Sequence, residues 1–554
     1  MPGPQETLQQ RLSEAFASFE PGADPVLRPS TRPGADFQAN GALPLAKRTG
    51  GKPGDIAAAV ASRARLDGIC SKVEPTPQGF INLVLDDGFL ASCLQEQLRD
   101  PRRGVVPSAG ARKALVDYSS PNVAKEMHAG HLRATIIGDA LCRMLTLVGD
   151  EVIRENHVGD WGTPFGMLIE HLVDLGEEEG MRELSVGDLD TFYKQARAAF
   201  ENSSEFQERA RQRVVLLQSG DTETLRLWRI LVDESIGYFE GVYEKLGVLL
   251  TRADVVGESF YNDELASIVA DLDDKGLLRD SEGARCVFPE GFTNREGQPL
   301  PLIVQKSDGG YGYAATDLAA LRDRFGRLGA DIALYVVGSP QAQHLEMCFA
   351  VARAARWIPA GAEAVHVSFG SVLGSDKRML RSRSGDAVKL NDLLDEAVKR
   401  AAKAVEDKNP ALGKEERAEV ARMVGIGAVK YADLSTDRIR DYVFDWDRML
   451  AFDGNTGPYL QYARVRCLSI FRRGGVDSAV YETGDVPFVL AEAAERDLAL
   501  ALSAYPQAIQ SAIDTWSPHK VCSYLFDLAG VYTTFFETCP VLKADDPAVR
   551  DSRL

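Results

Sequence analysis

Apolar and polar positions follow three different rhythms along the chain. Near the start, Gly79-Phe80-Ile81-Asn82-Leu83-Val84-Leu85 alternates, which predicts a strand with Phe80 and Ile81 on opposite faces, inside a small α+β region. The stretch Arg102 to Gly110, rich in Gly, Pro and positive charge, reads as a linker. After it the rhythm changes. Ala114-Leu115-Val116-Asp117-Tyr118 is a short apolar strand, halted by Ser119-Ser120-Pro121-Asn122. Leu132, Ile136, Ala140, Met144 and Val148 then recur every four residues, and Gly149-Asp150 supplies a left-handed stop. Val152 to His157 reads as a second strand. Strand, helix and strand in so short a span form a βαβ unit, hence a parallel sheet with a ligand crevice at the strand C-terminal ends. Ile332 to Val337 and Ala364 to Phe369 fit as later strands of that sheet.

The region from about 177 to 250 is charged and helical in pattern, and is read as an insertion within the α/β region. Beyond about residue 405 strand patterns end. Amphipathic helical runs follow at 458–473, 489–513 and 517–536, the last opening with Ser517 as N-cap and Pro518 at the first helical position. Three domains are therefore expected: 1–108 (α+β), 109–404 (α/β with a helical insertion) and 405–554 (a helical bundle).

With 554 residues the chain far exceeds one hydrophobic core. Its 45% hydrophobic and 26% charged residues are globular averages, which excludes a disordered or fibrous protein. No apolar run is long enough for a membrane span and the first residues lack a signal-peptide pattern, so a cytoplasmic protein is expected. The eight cysteines stand apart without CxxC spacing, which argues against a zinc or disulfide framework. The net charge of -18 gives no overall attraction for a polyanion, so any nucleic-acid partner must meet a local basic surface.

Two motifs carry chemistry. His128-Ala129-Gly130-His131 opens the helix after the first strand, where free backbone N–H groups and the dipole favour phosphate. Gly130 would let a ligand approach the backbone. Two neighbouring histidines could equally cap or pack. The second motif, Gly370 to Gly385, follows a strand and carries Lys377, Arg378, Arg381 and Arg383 among small residues. Such a loop could close over a triphosphate and neutralise departing pyrophosphate, or simply be a solvated basic segment.

Together these motifs resemble the HIGH and KMSKS signatures of class I aminoacyl-tRNA synthetases. The blocks Asp117 to Asn122, Asn156 to Thr163, Lys306 to Asp317 and Asn455 to Ala463 resemble the arginyl-tRNA synthetase family in particular. Asp36 to Asn40 and the strand at Gly79 to Asn82 are similar to that family's added N-terminal domain. The resemblance implies a Rossmann-like class I catalytic domain, an N-terminal α+β tRNA-contacting domain and a C-terminal all-α anticodon-binding bundle. It implies ATP-dependent activation of L-arginine to an adenylate and transfer to the 3′ end of tRNA-Arg, with Mg²⁺ held by ATP rather than by a protein metal site. A monomer is expected. Activation of arginine only in the presence of tRNA is implied as well.

By the same resemblance His128, Gly130, His131, Lys125 and Met379 bind ATP, and Lys125, Lys377, Arg381 and Arg383 join the histidines in stabilising the phosphates. Asp317 takes the guanidinium beside Tyr313, and Asp117, Ser119, Asn122 and Gln341 hold the rest of the amino acid. Tyr459, Tyr462, Arg466 and Asn82 are expected to contact tRNA. Three departures stand out: Arg381 or Arg383 replaces the second KMSKS lysine, Asp117 is shorter than the family's glutamate, and Pro164 follows Gly162-Thr163. Lys125 stands where a compensating lysine is expected. Two other readings stay open: an RNA-binding paralogue with weakened turnover, and a synthetase with altered amino-acid preference serving a side pathway.

Overall fold

The computed structural model describes residues 3–186, 189–381 and 387–554. They fall into two compact units. One combines Met1–Val106 with Tyr459–Thr515 and Lys520–Leu554, and the other spans Pro107–Pro458 with Trp516–His519.

In the first unit, β1 (Leu27–Pro29), β2 (Phe37–Ala39), β3 (Cys70–Pro75) and β4 (Ile81–Leu85) form an antiparallel sheet in the order β1-β2-β4-β3. The predicted strand begins two residues late, because Gly79 N–H donates to Thr76 O and closes the β3–β4 turn. Ile81, Leu83 and Leu85 bury against Leu8, Leu12, Phe16, Leu45 and Val60 from three helices. Asn82 points the other way yet is also buried, and its Oδ1 accepts from Gln38 Nε2 at 2.9 Å across the β2–β4 register. That cross-strand bond turns Asn82 inward, so its side chain offers no surface to RNA. The C-terminal helices belong to this same body. Ala499 joins the N-terminal core, and Arg496 pairs with Asp36 at 2.7 Å and Asp87 at 2.6 Å.

The second unit contains β5 (Lys113–Asp117), β6 (Glu151–Glu155), an antiparallel meander β7 (Leu278–Ser281), β8 (Ala284–Val287) and β9 (Leu302–Gln305), then β10 (Ile332–Tyr335), β11 (Glu363–His366), β12 (Val372–Leu373) and β13 (Tyr442–Val443). The central sheet runs β11-β10-β5-β6 with every pair parallel. The helix Ala129–Leu147 crosses from β5 to β6 and ends at Gly149, whose φ of 85° is the left-handed stop that its sequence predicts. The register sets Asp117 opposite both Glu155 and Tyr335, at the C-terminal edge of the sheet. The described residues of the predicted insertion form four helices between Glu177 and Leu246 and include no strand. Pro164 opens the helix Pro164–Leu175, where a missing N–H matters least.

Residues 405–458 lie in this second unit, not with the C-terminal helices. The tie is a buried ion pair: Arg133 Nε meets Asp433 at 3.2 Å, each side chain at most 1% exposed. Arg133 Nη1 also donates to the carbonyls of Gly370 at 2.7 Å and Arg440 at 2.9 Å. That approach is possible only at a glycine, since a Cβ on Gly370 would sit 2.7 Å from the Arg440 backbone. Among the described residues no helix is long and apolar enough to cross a membrane.

Candidate active site

At the end of β5 the chain turns through two residues with positive φ, Ser119 (74°) and Ser120 (48°). Such backbone is strained for non-glycine residues and persists only where neighbours hold it. Here they do. Ser119 Oγ bonds Tyr243 OH at 2.8 Å and receives Thr135 Oγ1 at 3.0 Å, while Ser120 N–H donates to Asn156 Oδ1 at 3.0 Å. Ser119 is therefore buried and fully engaged in clamping the turn, rather than presented to an amino acid.

Asp117 is also committed. Its Oδ2 accepts from Arg324 Nη2 at 2.8 Å and its Oδ1 from Ser120 Oγ at 3.0 Å. Arg324 is 1% exposed, pairs with Glu155 as well and stacks over Tyr335 at 4.7 Å. A buried guanidinium needs such carboxylates, so Asp117 neutralises a protein arginine before it can meet a substrate one. This differs from the direct substrate contact expected of it, and the sequence carries no local signal for a partner 207 residues away.

The histidine turn has a defined hydrogen-bond polarity. His128 is the N-cap: its Nδ1 accepts from Gly130 N–H at 3.1 Å, and His131 Nδ1 accepts from His128 N–H at 3.1 Å, a reciprocal capping box. An Nδ1 that accepts belongs to a neutral ring protonated at Nε2. Both rings are held neutral: burial, then the neighbouring His128, push His131 down to about 3, and desolvation with Lys125 nearby lowers His128, opposed by Asp190. The ring centroids lie 4.0 Å apart with the planes tilted by 42°, and each ring keeps its Nε2–H as a donor. Gly130 serves this arrangement. A Cβ there would lie 2.8 Å from His128 Cε1, so the close approach is made by the capping imidazole rather than by a ligand.

Lys125 stands beside the turn with its Nζ 4.6 Å from the Tyr193 ring centroid, a contact from the helical insertion. Lys377, Met379 and Arg381 lie exposed on a hairpin: Leu380 N–H donates to Val372 O at 3.1 Å, Gly374 N–H to Arg378 O at 2.8 Å, and Lys377 takes the left-handed region at φ 60°. Over these residues the basic segment is a formed turn. Arg383 lies outside the described residues. The segment leaving the loop returns to the histidines, where Ala129 N–H donates to Val388 O at 2.8 Å and Leu390 N–H to Met127 O at 2.8 Å. Backbone bonds thus join the histidine turn to the segment that follows the second motif.

Tyr313 and Asp317 share a face of the helix Tyr313–Gly326, with Tyr313 77% exposed. Gln341, exposed, precedes the helix Ala342–Ala354 without a side-chain capping bond, and Asn122, exposed, bridges to Gly159. Asp317 Oδ2 lies 2.5 Å from His344 Nε2. Glu258 is the acid that sequence reading missed. Burial, then Asp160 and Asp317, push its carboxyl up to about 7. Asp160 is itself raised by burial although Ser259 donates to it through Oγ at 2.6 Å and N–H at 2.8 Å. A concentration of acids in which a carboxyl is held that high is suited to a cation supplied from outside.

Tyr462 is 48% exposed with Arg466 stacked over it at 4.6 Å, whereas Tyr459 is half-buried and packs at 5.9 Å from the Phe526 ring.

Comparison with known proteins decides the family. "tRNA synthetases class I (R), catalytic domain" matches residues 94–446, "DALR anticodon binding domain" matches 460–554 and "Arginyl tRNA synthetase N terminal domain" matches 5–85. The arginine–tRNA ligase of Thermobifida fusca is 53% identical over 100% of this chain and 96% of its own, and that of Yersinia enterocolitica is 46% identical over 99% and 95%. The chain belongs to the arginine–tRNA ligase family. Among solved structures, Plasmodium falciparum arginyl-tRNA synthetase superposes with TM-score 0.85 at 29% identity, covering 100% of this chain and 95% of that one. The Thermus thermophilus arginyl-tRNA synthetase shares the fold, with TM-score 0.81, 24% identity and coverage of 99% and 95%. As an arginine–tRNA ligase the chain has the class I catalytic domain, the N-terminal domain and the helical anticodon-binding domain that its sequence predicts, and it ligates arginine to tRNA. The weakened paralogue and the side-pathway variant are not favoured by these relatives.

Proposed function

We propose that the ligase activates L-arginine at the joined histidine turn and basic hairpin, then transfers it to the terminal adenosine of tRNA-Arg in the cytoplasm. The observation that supports this reading is the backbone pairing of residues 127–129 with 388–390, which brings the segment that follows the basic loop against the histidine turn. The arginine carboxylate attacks the ATP α-phosphorus in line and pyrophosphate leaves. The terminal ribose 2′-hydroxyl next attacks the acyl carbon of the mixed anhydride, and AMP leaves. No protein nucleophile takes part, so catalysis is positioning and charge stabilisation.

His128 and His131 donate from Nε2 to phosphate oxygens as neutral rings, and the cationic share falls to Lys125, Lys377, Arg381 and Arg383. Gly130 and Met379 shape the nucleotide site. Asp317 and Glu258 take the guanidinium alongside Tyr313, while Asn122 and Gln341 hold the α-ammonium and carboxylate. Asp117 acts by fixing Arg324 beneath the site. Mg²⁺ fits as an ion carried by the ATP phosphates, since near the turn Glu126 is tied to Lys389 at 2.8 Å and Asp190 to Glu126 N–H at 3.4 Å. Tyr462 with Arg466 offers a stacking surface for an unpaired base.

ATP–pyrophosphate exchange with arginine tests the reading. Exchange is expected with tRNA-Arg and not without it, and His131→Ala should lose about 10²–10³ in kcat with tRNA present. A His131→Ala enzyme as fast as the parent would remove the phosphate role.

A further inference from the structure

Outside the phosphate machinery, the described residues hold one group of His, Cys and carboxylate side chains with metal-ligand geometry: Asp317, His344 and Cys348. His344 and Cys348 sit four apart on the helix Ala342–Ala354 and so project from one face. Asp317 faces them from the helix Tyr313–Gly326. His344 Nε2 lies 2.5 Å from Asp317 Oδ2 and 3.6 Å from Cys348 Sγ, and all three donor atoms fall within 4.8 Å of one another.

We propose that Asp317, His344 and Cys348 bind a thiophilic divalent cation of the Zn²⁺ type, and that this ion and arginine exclude each other. The competition rests on the reading of Asp317 as a guanidinium ligand. The donor set is right for such an ion: thiolate, imidazole and carboxylate together suit Zn²⁺ or Co²⁺ and not the hard ions Mg²⁺ or Ca²⁺. The spacing is right as well. Tetrahedral bonds of ~2.3 Å to sulfur and ~2.05 Å to nitrogen put those two atoms ~3.5 Å apart, close to the 3.6 Å present here. The carboxylate needs to draw back from the imidazole by roughly 0.9 Å to share the ion, which a side-chain torsion supplies.

On binding, the Cys348 S–H bond breaks as the S–metal bond forms, and the proton is released to solvent. His344 contributes the Nε2 lone pair and Asp317 one oxygen, leaving the fourth position to water. An Asp317 oxygen committed to the metal cannot also accept from a guanidinium, and a second cation beside the ion would be repelled. Cys348 is wholly buried in the half-buried setting of the other two ligands, so the ion would be shielded from bulk solvent on its sulfur side.

Titration of the full-length ligase with Co²⁺, followed by absorption, tests this. One equivalent should give the visible bands of tetrahedral Co²⁺ and a near-ultraviolet thiolate-to-cobalt band. Cys348→Ser should abolish the thiolate band and His344→Gln should weaken Co²⁺ binding at least about tenfold, both with parental far-UV circular dichroism. Arginine at ten times its Kd should raise the apparent Co²⁺ constant about elevenfold. No thiolate band, or a band that Cys348→Ser leaves intact, overturns the metal site and leaves the arginine pocket standing. A band that depends on Cys348 but is unmoved by arginine overturns the mutual exclusion, and with it the guanidinium role of Asp317.

Discussion

Replacing Arg133 by methionine tests how the histidine helix is coupled to the basic hairpin. The guanidinium is 1% exposed, lies 3.2 Å from Asp433 and donates to the carbonyls of Gly370 and Arg440. Methionine fills much of the volume but leaves Asp433 as a buried, unpaired carboxylate. Breaking such a pair costs about 3–5 kcal/mol. That is a large fraction of the ~5–15 kcal/mol by which folded proteins are stable. The pH dependence has a definite sign. Burial pushes the Asp433 carboxyl up to about 6 even with Arg133 beside it. A folded-state value above the ordinary 3.8 means that the ionised group opposes folding above pH 6, and that the opposition fades as pH falls from 6 towards 4. Without Arg133 the ionised form is penalised further, so the deficit of the variant should be greatest at pH 7.5 and shrink towards pH 5. Urea unfolding followed by tryptophan fluorescence measures both values. Arg133→Met/Asp433→Leu should recover part of the loss, because removing both charges leaves no buried ion unpaired, while the Gly370 and Arg440 carbonyls still lose their donor. Since Gly370 leads into β12 and the hairpin, kcat should fall with stability in the single variant. Parental stability at pH 7.5, or an equal deficit at pH 7.5 and pH 5, would refute the reasoning.

Three further outcomes are expected. Glu258→Gln removes one of the acids proposed to take the guanidinium and should raise the KM for arginine about 10–100-fold with a smaller change in kcat, the equivalent of ~1.5–3 kcal/mol for a charged hydrogen bond; in the parent, with the Glu258 carboxyl pushed up to about 7, arginine affinity should weaken as pH falls below that value. Gly130→Ala forces a Cβ to 2.8 Å from His128 Cε1, so the ring must leave its cap and ATP–pyrophosphate exchange should fall at least about tenfold with unchanged tRNA binding in a filter assay. Tyr462→Ala removes an exposed ring under Arg466 and should weaken tRNA binding by ~1–3 kcal/mol while leaving the KM for ATP unmoved.

What the sequence made legible was local. The β5-to-β6 crossover could be read because its apolar period, its strand-ending Ser-Ser-Pro-Asn and its Gly149 stop all lie within a few dozen residues. The positions of the histidine turn and the hairpin were legible for the same reason. Partnerships across long separations were not. Nothing near Asp117 announces Arg324, and nothing near Ser119 announces Tyr243, so the substrate roles that the resemblance implied for both carried no sign of these protein partners. The resemblance implied that Asn82 contacts tRNA, but its side chain is buried and accepts from Gln38 on the neighbouring strand, a pairing that only the sheet register reveals. Glu258 was hidden because its character comes from Asp160 and Asp317, which only the fold brings near. The meander β7–β9 was overlooked because its strands are only four residues long and carry mixed polarity.

A body made from both ends of a polypeptide has a timetable. Residues up to Val106 leave the ribosome before the helices from Tyr459 onward, with roughly 350 residues between them, a delay of ~20–70 s at translation rates of ~5–20 residues per second. Throughout that interval the sheet carrying Ile81 and Leu83 must wait with Asp36 and Asp87 unmatched and part of its apolar surface uncovered. A chain cut short before Tyr459 should therefore leave the Ile81 and Leu83 sheet with apolar surface that Ala499 and its neighbours would otherwise cover.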